Sequence, residues 1–491
     1  MINLKIIKNY IYNTLYQVMI LIIPLITMPY LTRIFSPAQL GLNSYTLSIV
    51  NYFMLFGMLG IQLYGSRQIA YVRDDKIKLT QTFWSIYTIQ LIVSTISLFL
   101  YYIFILFFIK YNLNIYVVQG LNIITVIIDI SWFFTGIEDF KKVVIRNSFA
   151  KIIGLLSIFI FVKNSDDLYI YILLTALINI FSMAIMWGFI KKYIGKFSIN
   201  KFIVRDTLKP LLKLFLPQIA TQVYLLLSRT MIGILSTDNQ VAFYDYSQKM
   251  VRMVLALITS VGVVLLPRIS NVIGNGKKDK VPNMIKKTFE FVSYFAIPMS
   301  LGLMSIANKF ISWFLGKEYY YVGYLTSISS LIIIAVSWAN IIGIQYLVST
   351  KQENKYTFSV IVSAIINILM NLLLINSYGA FGAVISLIVA EYIGIFIQMY
   401  LVKGELPIVG MIKSTLKYFI ASSIMALIVL SIGLIIENAF LANIIQVIIG
   451  ICTYLLLMYI FKDSIQTEII FRIKNLICNK KSKHIKKKYK H

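Results

Sequence analysis

Gln39-Leu-Gly-Leu-Asn-Ser-Tyr-Thr-Leu-Ser-Ile-Val50 aligns without a gap on Gln240-Val-Ala-Phe-Tyr-Asp-Tyr-Ser-Gln-Lys-Met-Val251. Gln39/Gln240, Tyr45/Tyr246, Thr46/Ser247 and Val50/Val251 agree in this register. Each stretch sits in a long apolar segment and follows another. In the preceding segments Leu31-Thr32-Arg33 resembles Leu227-Ser228-Arg229, with a connecting loop five residues longer in the second copy. Self-similarity at a fixed interval marks an internally repeated architecture.

The first copy belongs to a unit running from Asn9 to Asp75. Its opening helix is apolar but interrupted by Asn13, Gln17, Pro24, Pro29 and Arg33. A second apolar segment, Gly41 to Tyr64, carries Asn43, Ser44, Tyr45, Ser48 and Asn51, and a basic turn with Arg67, Arg73, Lys76 and Lys78 closes the unit. Polar side chains are costly in lipid, so in such helices they face a protein-lined interior.

The remaining chain has the same character. Of 491 residues 59% are hydrophobic and only 13% charged, with a mean hydropathy of +0.81. Runs of about 20 apolar residues, enough to cross a ~30 Å hydrocarbon core, recur from end to end. This is an all-α, multi-spanning integral membrane protein. Lys and Arg number 46 against 19 Asp and Glu, a formal charge of +27. On a soluble chain that excess would suggest nucleic acid; here loop topology accounts for it, and no nucleic-acid partner is expected. Cys452 and Cys478 form no disulfide framework or metal motif, and the only histidines, His484 and His491, lie in the basic tail. The N-terminal segment is long, contains two prolines and precedes many similar ones, so it reads as an uncleaved first span.

Apolar length predicts about fourteen transmembrane helices. Six lie near residues 11–33, 40–64, 80–109, 115–136, 147–162 and 169–190. Six more lie near 210–235, 241–266, 288–313, 321–349, 356–375 and 380–401, and two near 414–436 and 441–461. Basic residues concentrate in the loops after even-numbered spans: Lys141, Lys142 and Arg146; Lys191, Lys192, Lys196, Lys201, Arg205 and Lys209; Lys277, Lys278, Lys280, Lys286 and Lys287. Both termini are therefore expected in the cytoplasm, in a chain of the cytoplasmic membrane. Six spans separate the two copies, an even number, so they run the same way and form a parallel repeat about an axis along the membrane normal. The expected organisation is a six-helix lobe over 1–196, a second over 197–403 and a central cavity between the lobes. Two additional helices over 404–461 and a basic cytoplasmic tail over 462–491 complete the chain. The tail reads either as a disordered topogenic segment or as an adhesive for anionic lipid.

Asp245, Lys249 and Arg252 are spaced i, i+4, i+7 and share one helical face. The repeat register maps them onto Ser44, Ser48 and Asn51, so one polar face recurs, charged in one copy and neutral in the other. Arg229 lies on the preceding span. A charged residue mid-helix costs about 2.5–3.5 kcal/mol on the lenient insertion scale. These cations either contact an anion in a cavity or pair with Asp245 and snorkel outward. Asp129 and Glu391 are isolated acids that either bind a coupling cation or stay protonated and hydrogen-bonded. Enzyme motifs are absent. In Gly274-Asn275-Gly276-Lys277-Lys278, Asn271 and Lys278 stand where a phosphate-binding loop requires Gly and Ser or Thr.

Asn13, Gln17, Pro24, Pro29-Tyr30-Leu31 and Arg33, then Gly41, Tyr45, Tyr52, Gly60, Tyr64-Gly65-Ser66-Arg67 and Ile69-Ala70, resemble the polysaccharide repeat-unit flippases. So do Trp132-Phe133-Phe134-Thr135-Gly136-Ile137-Glu138 and Arg146-Asn147. That family belongs to the multidrug/oligosaccharidyl-lipid/polysaccharide exporter superfamily. The resemblance implies two six-helix lobes facing across a cavity and an undecaprenyl-pyrophosphate-linked oligosaccharide as substrate, for O-antigen, capsule or a related polymer. It also implies a cationic cavity, here Arg33, Arg229, Lys249 and Arg252. Asn51 and Gln17 are further candidate polar contacts for the substrate. Asp129, Glu391 and Asp245 are the candidates for coupling to a proton or sodium gradient. No cofactor is expected; the lipid bilayer and a polysaccharide polymerase are the other expected partners. The rival readings are a multidrug or toxin exporter of the same superfamily and a membrane enzyme of polymer assembly.

Overall fold

A computed structural model of the chain describes residues 22–198, 226–274 and 278–471, with the isolated positions 19, 207, 210–212, 215 and 222. Gln17, residues 199–206 of the basic connection, positions 275–277 and the tail beyond Phe471 lie outside these residues. The described residues are mostly helical, with no strand among them. Nine helices among them are long and apolar enough to cross a membrane, and a tenth span is formed by Lys317–Ser329 and Ile332–Val348, which meet at 46°. The chain is a multi-pass all-α membrane protein.

The helices are α1 (Ile22–Ile34), α2 (Pro37–Met58), α3 (Ile61–Val72), α4 (Lys76–Phe108), α5 (Leu113–Gln119), α6 (Leu121–Ile128), α7 (Ser131–Gly136), α8 (Phe140–Phe161) and α9 (Leu168–Ile190). Then follow α10 (Leu226–Leu235), α11 (Asp238–Gly274), α12 (Val281–Phe314), α13 (Tyr320–Ser329), α14 (Ile332–Ala339), α15 (Glu353–Leu401), α16 (Ile408–Ile435) and α17 (Ala439–Ile460). Every stretch read as a span in the sequence contains helix. The expected fourth span is three short helices, α5 to α7, broken at Gly120 and Asp129. The expected fifth, short for a bilayer by its apolar run, begins at Phe140 and reaches 22 residues. Spans eleven and twelve are the two arms of α15, which reverses at Gly379 (φ 56°, ψ −129°). Gln398 donates to Ser359 across those arms at 3.1 Å, and Gly394 lies against Ser363 so closely that a Cβ would come within 2.3 Å of its hydroxyl. Small residues let helices approach in this way where lipid offers no hydrophobic drive for association.

The chain divides into two compact units. The first comprises Met1–Asp245 and Ile368–Ala383. In it α2 starts on a capping box: the Ser36 hydroxyl accepts from the Gln39 backbone N–H at 3.4 Å, and Gln39 Oε1 accepts from Ser36 N–H at 3.0 Å. The helix stops where Leu59 and Gly60 both take positive φ. The motif stretches around Gly65 and Trp132 pack on each other: a Cβ on Gly65 would meet the Trp132 ring at 2.6 Å, and one on Gly136 would meet the Ser66 carbonyl at 2.6 Å. Gln90, fully buried, spans the break between α6 and α7. Its amide donates to the Val126 and Asp129 carbonyls at 2.6 and 2.8 Å, and its oxygen accepts the Trp132 indole N–H at 2.9 Å. A break inside lipid survives only when its freed backbone groups find such partners.

The second unit comprises Tyr246–Asn367 and Val384–His491. Its core joins α12, α14, the second arm of α15, α16 and α17 around Phe289, Tyr294, Ile297, Trp338, Tyr418 and Tyr454. Pro298 inside α12 has no N–H to give the carbonyl four residues back, which is that of Tyr294. The Tyr454 hydroxyl donates to that carbonyl at 2.7 Å instead. The tail does not lose structure at Lys462. Residues 464–471 form a helix whose first N–H groups, Ile465 and Gln466, donate to the Asp463 carboxylate at 2.9 and 3.0 Å. Asp463 also pairs with Lys417, and Ile465 and Ile469 pack on the core. An N-cap and an apolar face extend order past the last span.

Candidate functional site

The two aligned stretches meet. Ser44 and Asp245 occupy the same place in the repeat register, and the Ser44 hydroxyl donates to Asp245 Oδ2 at 3.0 Å. Two positions that the register aligns are thus neighbours in space.

Packing around it is tight. A Cβ on Gly41 would come within 1.7 Å of the Asp238 carbonyl oxygen, and one on Gly233 within 2.1 Å of the Tyr45 ring. The start of α11 and α10 thus lie directly on α2, at a separation only glycine permits. Below Ser44 a second polar layer repeats the arrangement. The Ser48 and Thr230 hydroxyls are 3.0 Å apart, and Thr230 donates to the Tyr52 hydroxyl at 3.2 Å.

Arg229 supplies the charge. Its Nη2 lies 2.7 Å from Asp245 Oδ1, with the two side chains 17% and 2% exposed. Losing one partner of a buried ion pair costs about 3–5 kcal/mol, while an ordinary hydrogen bond contributes about 1 kcal/mol. Arg229 is therefore the main stabiliser of the Asp245 carboxylate and Ser44 the lesser one.

The matched glutamines also perform matched work. Gln39 donates to the Ser165 carbonyl at 2.7 Å, in the turn between α8 and α9. Gln240 accepts the Ala380 N–H at 2.9 Å, in the turn of α15. Each is the third residue of its helix and reaches the turn that joins the fifth and sixth spans of its own copy.

The remaining candidates are more scattered. Lys249 is half-buried, with its ammonium 4.4 Å from the Tyr246 ring centre, and Arg252 is exposed. Arg33 is exposed and donates to the Pro29 carbonyl of its own helix at 2.6 Å. Asn51 is half-buried on α2, and Glu391 half-buried on the second arm of α15. Asp129 has local work: its carboxylate accepts the Ser131 N–H at 2.8 Å and the Ser131 hydroxyl, capping α7 at the break. Among the described residues, no three His, Cys, Asp or Glu converge as a metal site. Gly41 and Tyr52 were named in the sequence only as motif residues, without a role in the site, and Thr230 and Gly233 were not singled out at all. A Gly or Thr in an apolar helix is too common to stand out.

Comparison with known proteins agrees with this fold. A family model described as "Polysaccharide biosynthesis protein" matches residues 6–273. A putative O-antigen transporter of Escherichia coli (strain K12) is 22% identical over 402 residues, covering 81% of this chain and 97% of its own length. Among solved structures, a lipid II flippase MurJ in an inward closed conformation superposes with a TM-score of 0.75 at 18% identity, covering 93% of this chain and 98% of that one. An inward-facing multidrug resistance MATE family transporter gives 0.63 at 12% identity, covering 80% and 96%.

Proposed function

This chain belongs to the polysaccharide biosynthesis protein family, and from that premise we propose that it is a flippase for lipid-linked oligosaccharides. In this reading it moves undecaprenyl-pyrophosphate-linked repeat units from the inner to the outer leaflet of the cytoplasmic membrane, by alternating access and without catalysis. The O-antigen transporter name carried by its relative supports the substrate class. A polysaccharide polymerase would take up the product, and a proton or sodium gradient would drive the cycle. Both termini would face the cytoplasm, and residues 1–196 and 197–403 would act as the two lobes.

The observation that carries the mechanism is the polar contact of repeat-matched residues, Ser44 with Asp245, reinforced by Arg229. Alternating access needs contacts between the repeats that form in one state and part in another. Hydrogen bonds and one ion pair can do this, because each group finds water or an anionic head group when separated. Once freed, Arg229 would join Lys249, Arg252 and Arg33, with Asn51 and Gln17, as contacts for pyrophosphate. Arg suits that role because its planar fork donates two parallel hydrogen bonds to phosphate oxygens.

The test is complementation of a strain lacking its own repeat-unit flippase. Surface polymer should return with the parental chain. With Arg229→Ala, lipid-linked oligosaccharide should accumulate on the cytoplasmic leaflet and export should fall when normalised to the protein present in the membrane. Full export by both Arg229→Ala and Arg252→Ala would sink the assignment, and drug efflux without polymer export would favour a multidrug exporter.

A further inference from the structure

Arg146, read from the sequence as a loop residue, is instead a buried cation on α8 that the transport reading leaves unused. It lies on the second turn of α8 and is 5% exposed. Its Nε and Nη2 both donate to Asn147 Oδ1, at 3.0 and 2.6 Å. The side chain lines one end of a cavity of about 190 Å³ between α8 and α9. The other walls are apolar, chiefly Phe149, Ala150, Ile153, Ile178 and Phe181, with Ser182 the one hydroxyl. Phe149 and Phe181 are more than half exposed, so the groove opens on the surface that lipid covers.

A guanidinium is expensive to keep in hydrocarbon and favours an anion as neighbour. An apolar trough leading away from it favours a hydrocarbon chain. One molecule that satisfies both is an amphiphile with a charged phosphate. Arg146 also sits near the end of α8 that carries Lys142, which is bound to Asp139 at 2.9 Å and to the Tyr193 hydroxyl at 2.6 Å. Basic pockets between helices near the basic membrane face are where anionic lipid head groups collect.

We propose that the α8–α9 groove binds an anionic phospholipid of the surrounding bilayer, with the phosphate against Arg146 and one acyl chain along Ala150, Ile153 and Ile178. Beyond Arg146 and Ser182 the lining offers no hydrogen-bonding side chain for an oligosaccharide, which favours a resident phospholipid over the transported molecule. The site is independent of the Ser44–Asp245 contact and of the transport assignment.

Native mass spectrometry of the full-length protein, titrated with dioleoylphosphatidylglycerol and dioleoylphosphatidylcholine, tests it. The two lipids share chains and differ in net charge. The parent should retain the phosphatidylglycerol by about tenfold or more, the scale of a hydrogen bond to a charged group. Arg146→Gln should abolish that preference, and Arg146→Lys should keep part of it. Ala150→Trp leaves the guanidinium in place and fills the groove, so it should weaken binding of both lipids; it decides the question if the Arg146 variants fail to fold. Unchanged lipid preference in Arg146→Gln, or unchanged binding in Ala150→Trp, would overturn the proposal. Displacement of phosphatidylglycerol by equimolar undecaprenyl phosphate would also overturn it, assigning the groove to the substrate.

Discussion

Ser44 and Asp245 stand 201 residues apart in the chain and 3.0 Å apart in space. They are the same position in two copies of one repeat. The first copy supplies a neutral donor and the second a carboxylate, so the aligned positions form a complementary pair. Arg229 completes it at 2.7 Å.

The relative sizes of these contacts set the first expectation. Arg229→Ala leaves a buried carboxylate without its ion-pair partner, at a cost of about 3–5 kcal/mol. Ser44→Ala removes one hydrogen bond and should cost about 1 kcal/mol. Thermal unfolding of the purified variants should therefore rank parent, Ser44→Ala, Arg229→Ala in falling order. Adding Asp245→Asn to Arg229→Ala should recover part of the loss, because the buried charge is gone. If the double variant is no more stable than Arg229→Ala, the ion pair is not what holds this contact.

A second expectation concerns Pro298 and Tyr454. The proline leaves the Tyr294 carbonyl without a helical partner, and the Tyr454 hydroxyl fills the vacancy at 2.7 Å. Tyr454→Phe strands a buried acceptor and should destabilise the protein by about 1–3 kcal/mol. In a Pro298→Ala background the restored N–H at position 298 satisfies the carbonyl, so the same change should cost much less. Equal losses in both backgrounds would show that the hydroxyl matters for another reason.

Acid provides a third. Glu405, in the connection between α15 and α16, is partly buried, which by itself raises its carboxyl. Hydrogen bonds from Gln352 and Tyr346 (2.6 Å each) and Lys355 (2.7 Å) outweigh burial and hold it at about 2, against an ordinary 4.5. A group whose folded value is depressed stabilises the fold above its unfolded value and loses that contribution as pH falls through the folded one. Stability should thus decline between about pH 5 and pH 2. Glu405→Gln should be less stable than the parent at pH 7 and show a shallower decline in that window. Parallel pH profiles for the two proteins would exclude Glu405 as the titrating group.

Much of the helical architecture was legible because membrane solvation writes it in plain terms: runs of apolar residues long enough to cross a bilayer mark the spans. The Gln39/Gln240 match also held its meaning, since both residues turn out to bind equivalent turns. What the register could not give was contact. Equivalence of Ser44 and Asp245 says that they occupy one place in each copy, while their proximity depends on where the repeat axis runs. The closeness of Gly41 to Asp238 and of Gly233 to Tyr45 was equally silent, because a glycine in an apolar helix is read only once its neighbour is known. Asp129 illustrates the converse. An acid in apolar sequence suggests either ion binding or a hydrogen-bonded structural role, and the break between α6 and α7, where its carboxylate holds Ser131, leaves no trace in hydropathy. Arg33, Arg229, Lys249 and Arg252 were grouped by helical spacing and by the family resemblance; the structure gives Arg229 a buried acidic partner and leaves Arg33 and Arg252 exposed.

The central claim is that this contact of the two copies must open and close during transport. Ser48 and Thr230, with hydroxyls 3.0 Å apart, allow it to be locked. In a background free of Cys452 and Cys478, the pair Ser48→Cys and Thr230→Cys should cross-link under mild oxidation. Cells carrying the cross-linked protein should accumulate lipid-linked oligosaccharide on the cytoplasmic leaflet and resume polymer export when reductant is added. Export at the parental rate by fully cross-linked protein would contradict the account.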